Sequence, residues 1–224
     1  DLLEGAKALP AHRSTAEMTR RATITTALLI AVCGLAPAIA QRANTDWPQW
    51  RGANRDGAAV FAAPSAWPEA LSKKWQVEVG IGYAAPITVG DRVYAFSRQN
   101  EDEVMRALDA ATGKTIWETK YAASFKPNPA ATRTQGTGPK STPTFADGRL
   151  YSLGMTGLVT AFDAASGKQL WQSPPMKTEP LYHTGMSPIV DRGLVIAHVG
   201  GHNDGALTAF DARTGAAKWA WTGD

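Results

Sequence analysis

The sequence predicts an all-β chain of four-stranded antiparallel blades, a partial β-propeller. Three observations lead there. The stretch Leu108-Asp109-Ala110-Ala111-Thr112-Gly113-Lys114-Thr115-Ile116-Trp117 returns between Phe162 and Trp171, and again between Phe210 and Trp219. Each copy follows a proline, Pro86, Pro143 or Pro188, at a similar remove. Between proline and tryptophan lie short β-rich runs divided by tight turns. Four short strands recurring every ~40–55 residues are the mark of propeller blades.

Taken in order, residues 1–17 precede the first methionine, Met18, and are expected to lie upstream of the protein. Met18-Thr19-Arg20-Arg21 is basic, Ala22 to Leu35 is apolar, and Ala38-Ile39-Ala40 is a small-residue cleavage pattern. Residues 18–40 therefore read as a secretory signal peptide. The apolar run is shorter than the ~20 residues of a membrane-crossing helix. The exported remainder is expected in the periplasm or outside the cell, with no transmembrane span after cleavage. Cys33 raises a lipoprotein alternative, which ranks second because Val32 before it is bulkier than the small residue of a lipobox. Cys33 is the chain's one cysteine. Core burial rather than disulfides must hold the exported part together. The net charge of +3 gives no case for a nucleic-acid partner.

Residues 41–73, with Trp47, Pro48, Trp50 and Arg51, carry turn residues but no period, and are expected to lie irregularly across a folded surface. Lys74 to Val79 alternates apolar and polar residues, which predicts a half-buried strand. From residue 74 to 224 the chain reads as blades. Each begins at its proline, turns at Gly90-Asp91, Asp147-Gly148 or Asp191-Gly193, and continues into a strand rich in Val, Leu, Tyr and Ile. A third strand ends at Asp109, Asp163 or Asp211, and a fourth carries Trp117, Trp171 or Trp219.

The motif residues suit a structural task. An Asp side chain accepts hydrogen bonds from the N–H groups of the turn that follows it. Gly113, Gly167 and Gly215 suit a left-handed position in a hairpin ending in a bulge. The tryptophans supply broad apolar faces for docking one blade on the next. Ligand stacking is the functional alternative, and their place on the outermost strand favours docking.

The pattern Ala-x-Asp-x-x-Thr-Gly-x-x-x-Trp, as in Ala161-Phe162-Asp163 and Ala209-Phe210-Asp211 with their following residues, resembles the tryptophan-docking repeat of PQQ-like, quinoprotein-type propellers. Trp47-Pro48-Gln49-Trp50-Arg51-Gly52 is similar to the opening of exported bacterial members. The resemblance covers about residues 47–224 and implies seven or eight blades, with an N-terminal strand completing the last one. Lys74 to Val79 fits that role. The chain is accordingly expected to be a fragment, truncated at its C-terminus.

The family includes a non-catalytic lipoprotein of the outer-membrane barrel-assembly machinery and dehydrogenases using pyrroloquinoline quinone with calcium. Those enzymes typically show an adjacent cysteine pair and acidic and Asn calcium ligands, none of which has a match here. The favoured reading is a non-catalytic envelope or secreted propeller that binds a protein partner or ligand. Quinone and calcium enter only through the resemblance. The alternatives are a fragment of a quinoprotein dehydrogenase and a propeller module of a larger multidomain protein.

Any site is expected on the face that carries the inter-blade connections and the loops between second and third strands, which are expected to be the longer loops. Lys126, Arg133 and Lys140 lie in an acid-free connection and are candidates for an anion patch. His183 lies in the next connection. His202 and Asp204, just after His198, are weighed as metal ligands, with the Gly200-Gly201 turn leaving their geometry open. No Ser-His-Asp arrangement, phosphate-binding glycine loop or Cys-His zinc spacing is present.

Overall fold

The computed structural model describes residues 45–126, 128, 129, 133, 136–178, 180, 182–201 and 203–223. The expected leader, Cys33 and His202 lie outside them. Among the described residues twelve strands form three four-stranded antiparallel sheets, each in chain order. Blade 1 holds β1 (Ile87–Val89), β2 (Arg92–Gln99), β3 (Asp102–Asp109) and β4 (Thr115–Ala122). Blade 2 holds β5 (Thr144–Ala146), β6 (Arg149–Leu153), β7 (Val159–Asp163) and β8 (Gln169–Gln172). Blade 3 holds β9 (Ile189–Asp191), β10 (Leu194–Val199), β11 (Ala206–Asp211) and β12 (Ala217–Thr222).

The repeat motif builds the hairpin between the third and fourth strand of each blade. Asp109 Oδ1 accepts from the Thr112 N–H at 2.8 Å and from its hydroxyl at 2.6 Å. Asp163 does the same with Ser166, and Asp211 accepts from the N–H groups of Arg213 and Thr214. Gly113, Gly167 and Gly215 follow at φ of 73°, 76° and 75°, where a side chain would be strained. The register then slips by one residue at Ala107/Leu108, Ala161/Phe162 and Ala209/Phe210. These are the anticipated bulges, and each resets which side of the outer strand faces the next blade.

The core lies between sheets rather than within one. Tyr94, Phe96, Met105 and Tyr121 of blade 1 pack on Leu150, Leu158 and Phe162 of blade 2. Tyr151, Leu153, Val159 and Trp171 of blade 2 pack in turn on Val195, Ala197 and Phe210 of blade 3. The docking tryptophans seal these seams. Trp117 rests on Gly167 and Trp171 on Gly215, each with its indole N–H donated to a backbone carbonyl of the next motif, Ala164 at 3.2 Å and Ala212 at 3.0 Å. Tyr94 and Tyr151 donate to those same two carbonyls.

Lys74 to Val79 is extended and lies where the fourth strand of a preceding blade would, with Trp75 docked on Gly113 as Trp117 is on Gly167, and it joins no ladder among the described residues. It runs along the face of blade 1 turned away from blade 2, where Trp75 donates to Ala110 O at 3.0 Å and Val79 O accepts from Ser97 Oγ at 2.5 Å. Its alternation is real, because Trp75, Val77 and Val79 are half-buried between exposed neighbours. Side chains anchor it, since no strand among the described residues lies alongside to pair with its backbone. The expectation that needs correction is loop length. In blade 1 only Asn100 and Glu101 separate β2 from β3. Asn100 takes φ of 54°, a left-handed value that asparagine tolerates and that permits a two-residue turn. The longer loops between second and third strands belong to blades 2 and 3.

Candidate functional site

The innermost strands β1, β5 and β9 all start on the long-loop face, each just after its proline. The residues before those prolines stitch the blades together near the axis. Ala85 N donates to Thr142 Oγ1 at 3.2 Å, and Thr142 N donates to Ser187 Oγ at 3.0 Å. Thr144 Oγ1 donates to Pro188 O at 2.6 Å. The hydroxyls at 142 and 187 are thus held in inter-blade bonds.

The N-terminal segment is laid against the same inner strands. Trp47 and Thr88 exchange hydrogen bonds of 2.8 and 3.1 Å, and Phe145 N donates to Pro48 O at 2.8 Å. A compact turn from Gln49 to Gly57 then folds back over Trp47. Gly52 sits so close to that ring that a Cβ would lie 2.8 Å from it. Arg55 Nε donates to Gln49 Oε1 at 3.0 Å, which fixes the guanidinium.

This segment and the inner-strand starts enclose a cavity of about 420 Å3. Arg55 and Lys140 supply its charge, Trp50 and Tyr83 its aromatic rim, and Met186 and Ile189 part of its apolar floor. Lys140 Nζ donates to Tyr182 O at 3.1 Å, and partial desolvation holds its pKa below the usual lysine value. Trp50, Tyr83 and Tyr182 remain 52, 64 and 62 % exposed. The arrangement can hold an anion and can offer flat apolar surface around it.

Of the residues singled out in the sequence, Lys140 alone lies in the described lining of this cavity. His183 is next to Tyr182 but stacks edge-on against Phe125, 4.8 Å between centroids, and Arg98 covers that ring at 4.7 Å. This stack ties the blade 1–2 connection to β2. Lys126 and Arg133 are exposed and outside the described lining. Asp204 Oδ1 accepts from Gly201 N at 2.8 Å, and hydrogen bonds from Thr178 and Gly201 hold its pKa below the usual carboxylate value. His198 Nε2 lies 3.2 Å from Gly223 O. Among the described residues no cluster of three His, Cys, Asp or Glu side chains is placed to hold a metal.

Sequence reasoning missed Gln49, Trp50 and Arg55 as cavity walls. It also missed a buried carboxylate. Glu103 is fully buried and lies directly across the ladder from Arg98 and Tyr121. It accepts from Tyr121 Oη and from Met155 N of blade 2, both at 2.6 Å. Burial raises its pKa, and these two donors and Arg98 offset part of the rise. Gly154 must be glycine here, since a Cβ would lie 2.0 Å from Glu103 Oε2. The signal was present: Glu103 shares the two-residue period of Met105 and Ala107 and so belongs to the buried face.

Sheets fastened by indole-on-glycine docking around an axial cavity define a β-propeller of PQQ-like repeats. The chain belongs to the family whose sequence profile is described as outer membrane protein assembly factor BamB, and that profile matches residues 100–223. Outer membrane protein assembly factor BamB of Burkholderia pseudomallei is 30% identical over 154 residues, covering 67% of this chain and 34% of the relative. Quinohemoprotein alcohol dehydrogenase ADH IIB of Pseudomonas putida is 39% identical over 87 residues, covering 37% of this chain and 12% of the relative. The crystal structure of quinohemoprotein alcohol dehydrogenase from Comamonas testosteroni shares the fold, with a TM-score of 0.55 at 24% identity over 79% of this chain and 27% of that one. The chain spans 34% or less of the length of each of these relatives. Among the described residues no helix is long and apolar enough to cross a membrane.

Proposed function

We propose that this chain serves in a non-catalytic envelope or secreted propeller that binds a protein partner or ligand on its long-loop face. The observation that carries the reading is the exposed aromatic rim of Trp50 and Tyr83 around the cationic groups of Arg55 and Lys140. Tryptophan, tyrosine and arginine are the residues most enriched where protein interfaces concentrate their binding energy. The likeness to BamB supports the same direction, as does the exported character of the leader read at 18–40.

The likeness to a quinohemoprotein alcohol dehydrogenase motivates a second reading, a quinone-dependent enzyme. The cavity's cations and rings match an anionic aromatic cofactor. Its described lining carries no carboxylate, however, and calcium is bound by carboxylate and carbonyl oxygens. The residues present do not fit a quinone–calcium pair there, and no catalytic step is derived through it.

The test is photo-crosslinking in the host envelope from the full chain, with the reactive group at Tyr83 on the long-loop face or at Asp147 on the opposite face. The same partner is expected from Tyr83 and not from Asp147. Equal labelling from both positions, or none from either, overturns the reading. So does dye-linked alcohol oxidation by the full chain after addition of pyrroloquinoline quinone and calcium.

A further inference from the structure

We infer that the axial cavity recognises an acidic segment of a protein partner, an extended stretch in which an Asp or Glu neighbours an aromatic or branched apolar residue. The inference rests on the partner-binding reading above and names the chemistry of the partner.

Charge is the first argument. Arg55 and Lys140 both line the cavity, and the described lining contains no Asp or Glu. A carboxylate entering it meets two cations and, in the described lining, no like charge. Arg55 gives its Nε–H to the neutral amide of Gln49, so the guanidinium is oriented without losing its charge. Charge-assisted hydrogen bonds from Arg to carboxylate are about twice as strong as neutral ones. Lys140 is partly desolvated, and an anion brought alongside would return its pKa toward the usual value.

Rigidity is the second. Thr142 and Ser187 are locked in the inter-blade stitch, and Gln49 also donates to Ala53 O at 2.8 Å. Walls already fixed lose little entropy when a ligand binds, and preorganisation of this kind is what turns modest contact area into affinity.

The third argument chooses a peptide over a small free acid. A small acid would be satisfied inside a volume of about 420 Å3. Apolar surface continues from Tyr83 at the rim to Ile81 beside it, 64 and 53 % exposed. Surface outside the cavity is covered only by a ligand longer than the cavity, and an apolar neighbour of the acidic residue fits it.

Calorimetry on the full chain tests this with an octapeptide carrying two Glu residues beside a Phe, its Gln isostere, and succinate. The acidic peptide is expected to bind at least about tenfold more tightly than the isostere, with the ratio shrinking as salt rises. Arg55→Gln should abolish most of that ratio, and Arg55→Lys should restore part of it. Lys140→Gln gives an independent reduction should the first variant misfold. Equal binding of both peptides, binding of neither, or displacement of the peptide by equimolar succinate overturns the inference. If crosslinking from Tyr83 still recovers a partner in those cases, the partner-binding reading survives and only the acidic segment is lost. If crosslinking fails as well, both fall.

Discussion

The indole of Trp117 rests on Gly167, fifty positions along the chain, so closely that a Cβ built on the glycine would lie 2.5 Å from the ring. The contact is not singular. Trp75 meets Gly113 and Trp171 meets Gly215 in the same way, with 2.7 Å to the corresponding Cβ position in both. The glycine that lets the hairpin turn is therefore also the surface on which the preceding indole lands. One residue type answers a backbone demand and a packing demand together.

Gly167→Ala is expected to break both. The left-handed backbone alone costs about 1–2 kcal/mol for a residue with a Cβ, and displacement of Trp117 adds to it. Chemical unfolding should show the loss. Gly148→Ala shares a positive φ, 74°, but has open space around its Cβ position, so it should show the backbone cost alone. Equal destabilisation by the two variants would mean that the indole contact contributes nothing.

Trp171 and Trp219 occupy equivalent motif positions yet are 9 and 42 % exposed. Trp171→Ala should cost about 3–5 kcal/mol, the range for deleting a large buried aromatic. Trp219→Ala should cost clearly less in the same chain. Comparing their urea midpoints decides whether burial between blades, rather than membership of the motif, sets the energy.

Glu103 gives a pH dependence whose sign follows from its raised pKa. The folded state holds the proton more tightly than the unfolded one. The resulting stability is complete below the ordinary value of 4.5 and is lost as pH rises through the folded value. Wild type should thus unfold more readily at neutral than at mildly acidic pH over that interval. Glu103→Gln should flatten the profile there. An unchanged slope in the variant would remove Glu103 as its source.

The motif carboxylates act in the opposite sense. Hydrogen bonds from Thr112, Ser166 and Thr214 hold Asp109, Asp163 and Asp211 below the usual 3.8. Their contribution is present above 3.8 and disappears as pH falls through the lowered values. Asp163→Asn should reduce the steepness of acid unfolding while leaving the Glu103 interval alone. Acid titrations followed by tryptophan fluorescence distinguish the two ranges.

The hairpins were legible in the sequence because Asp163, Ser166 and Gly167 act on one another within a single turn. Trp171 announced an outer strand for the same reason. Its landing place on Gly215 was not legible, since that pairing depends on how one sheet stacks on another. The cavity was harder still. Lys140 was singled out on charge, but Arg55 reaches the same wall only because Trp47 pairs with Thr88 and carries the N-terminal segment to the inner strands. Glu103 could have been found from its alternation with Met105 and Ala107. A charged residue on a buried face is the exception that period alone tends to pass over. Lys74 to Val79 was legible for the same local reason: its alternation marked Trp75, Val77 and Val79 as one half-buried side, and that side is the one laid on blade 1.

Indole on one side and hairpin glycine on the other make each blade a plug and a socket, and contacts of that kind have a direction. Between identical molecules they propagate head to tail into rings or fibres instead of closing as two-fold pairs. The socket at Gly113 is already filled by Trp75 of the same chain. The segment around Trp75 thus fills the socket of blade 1 as the indole of a preceding blade would, and peeling it away would uncover Gly113 and the apolar strand face beside it.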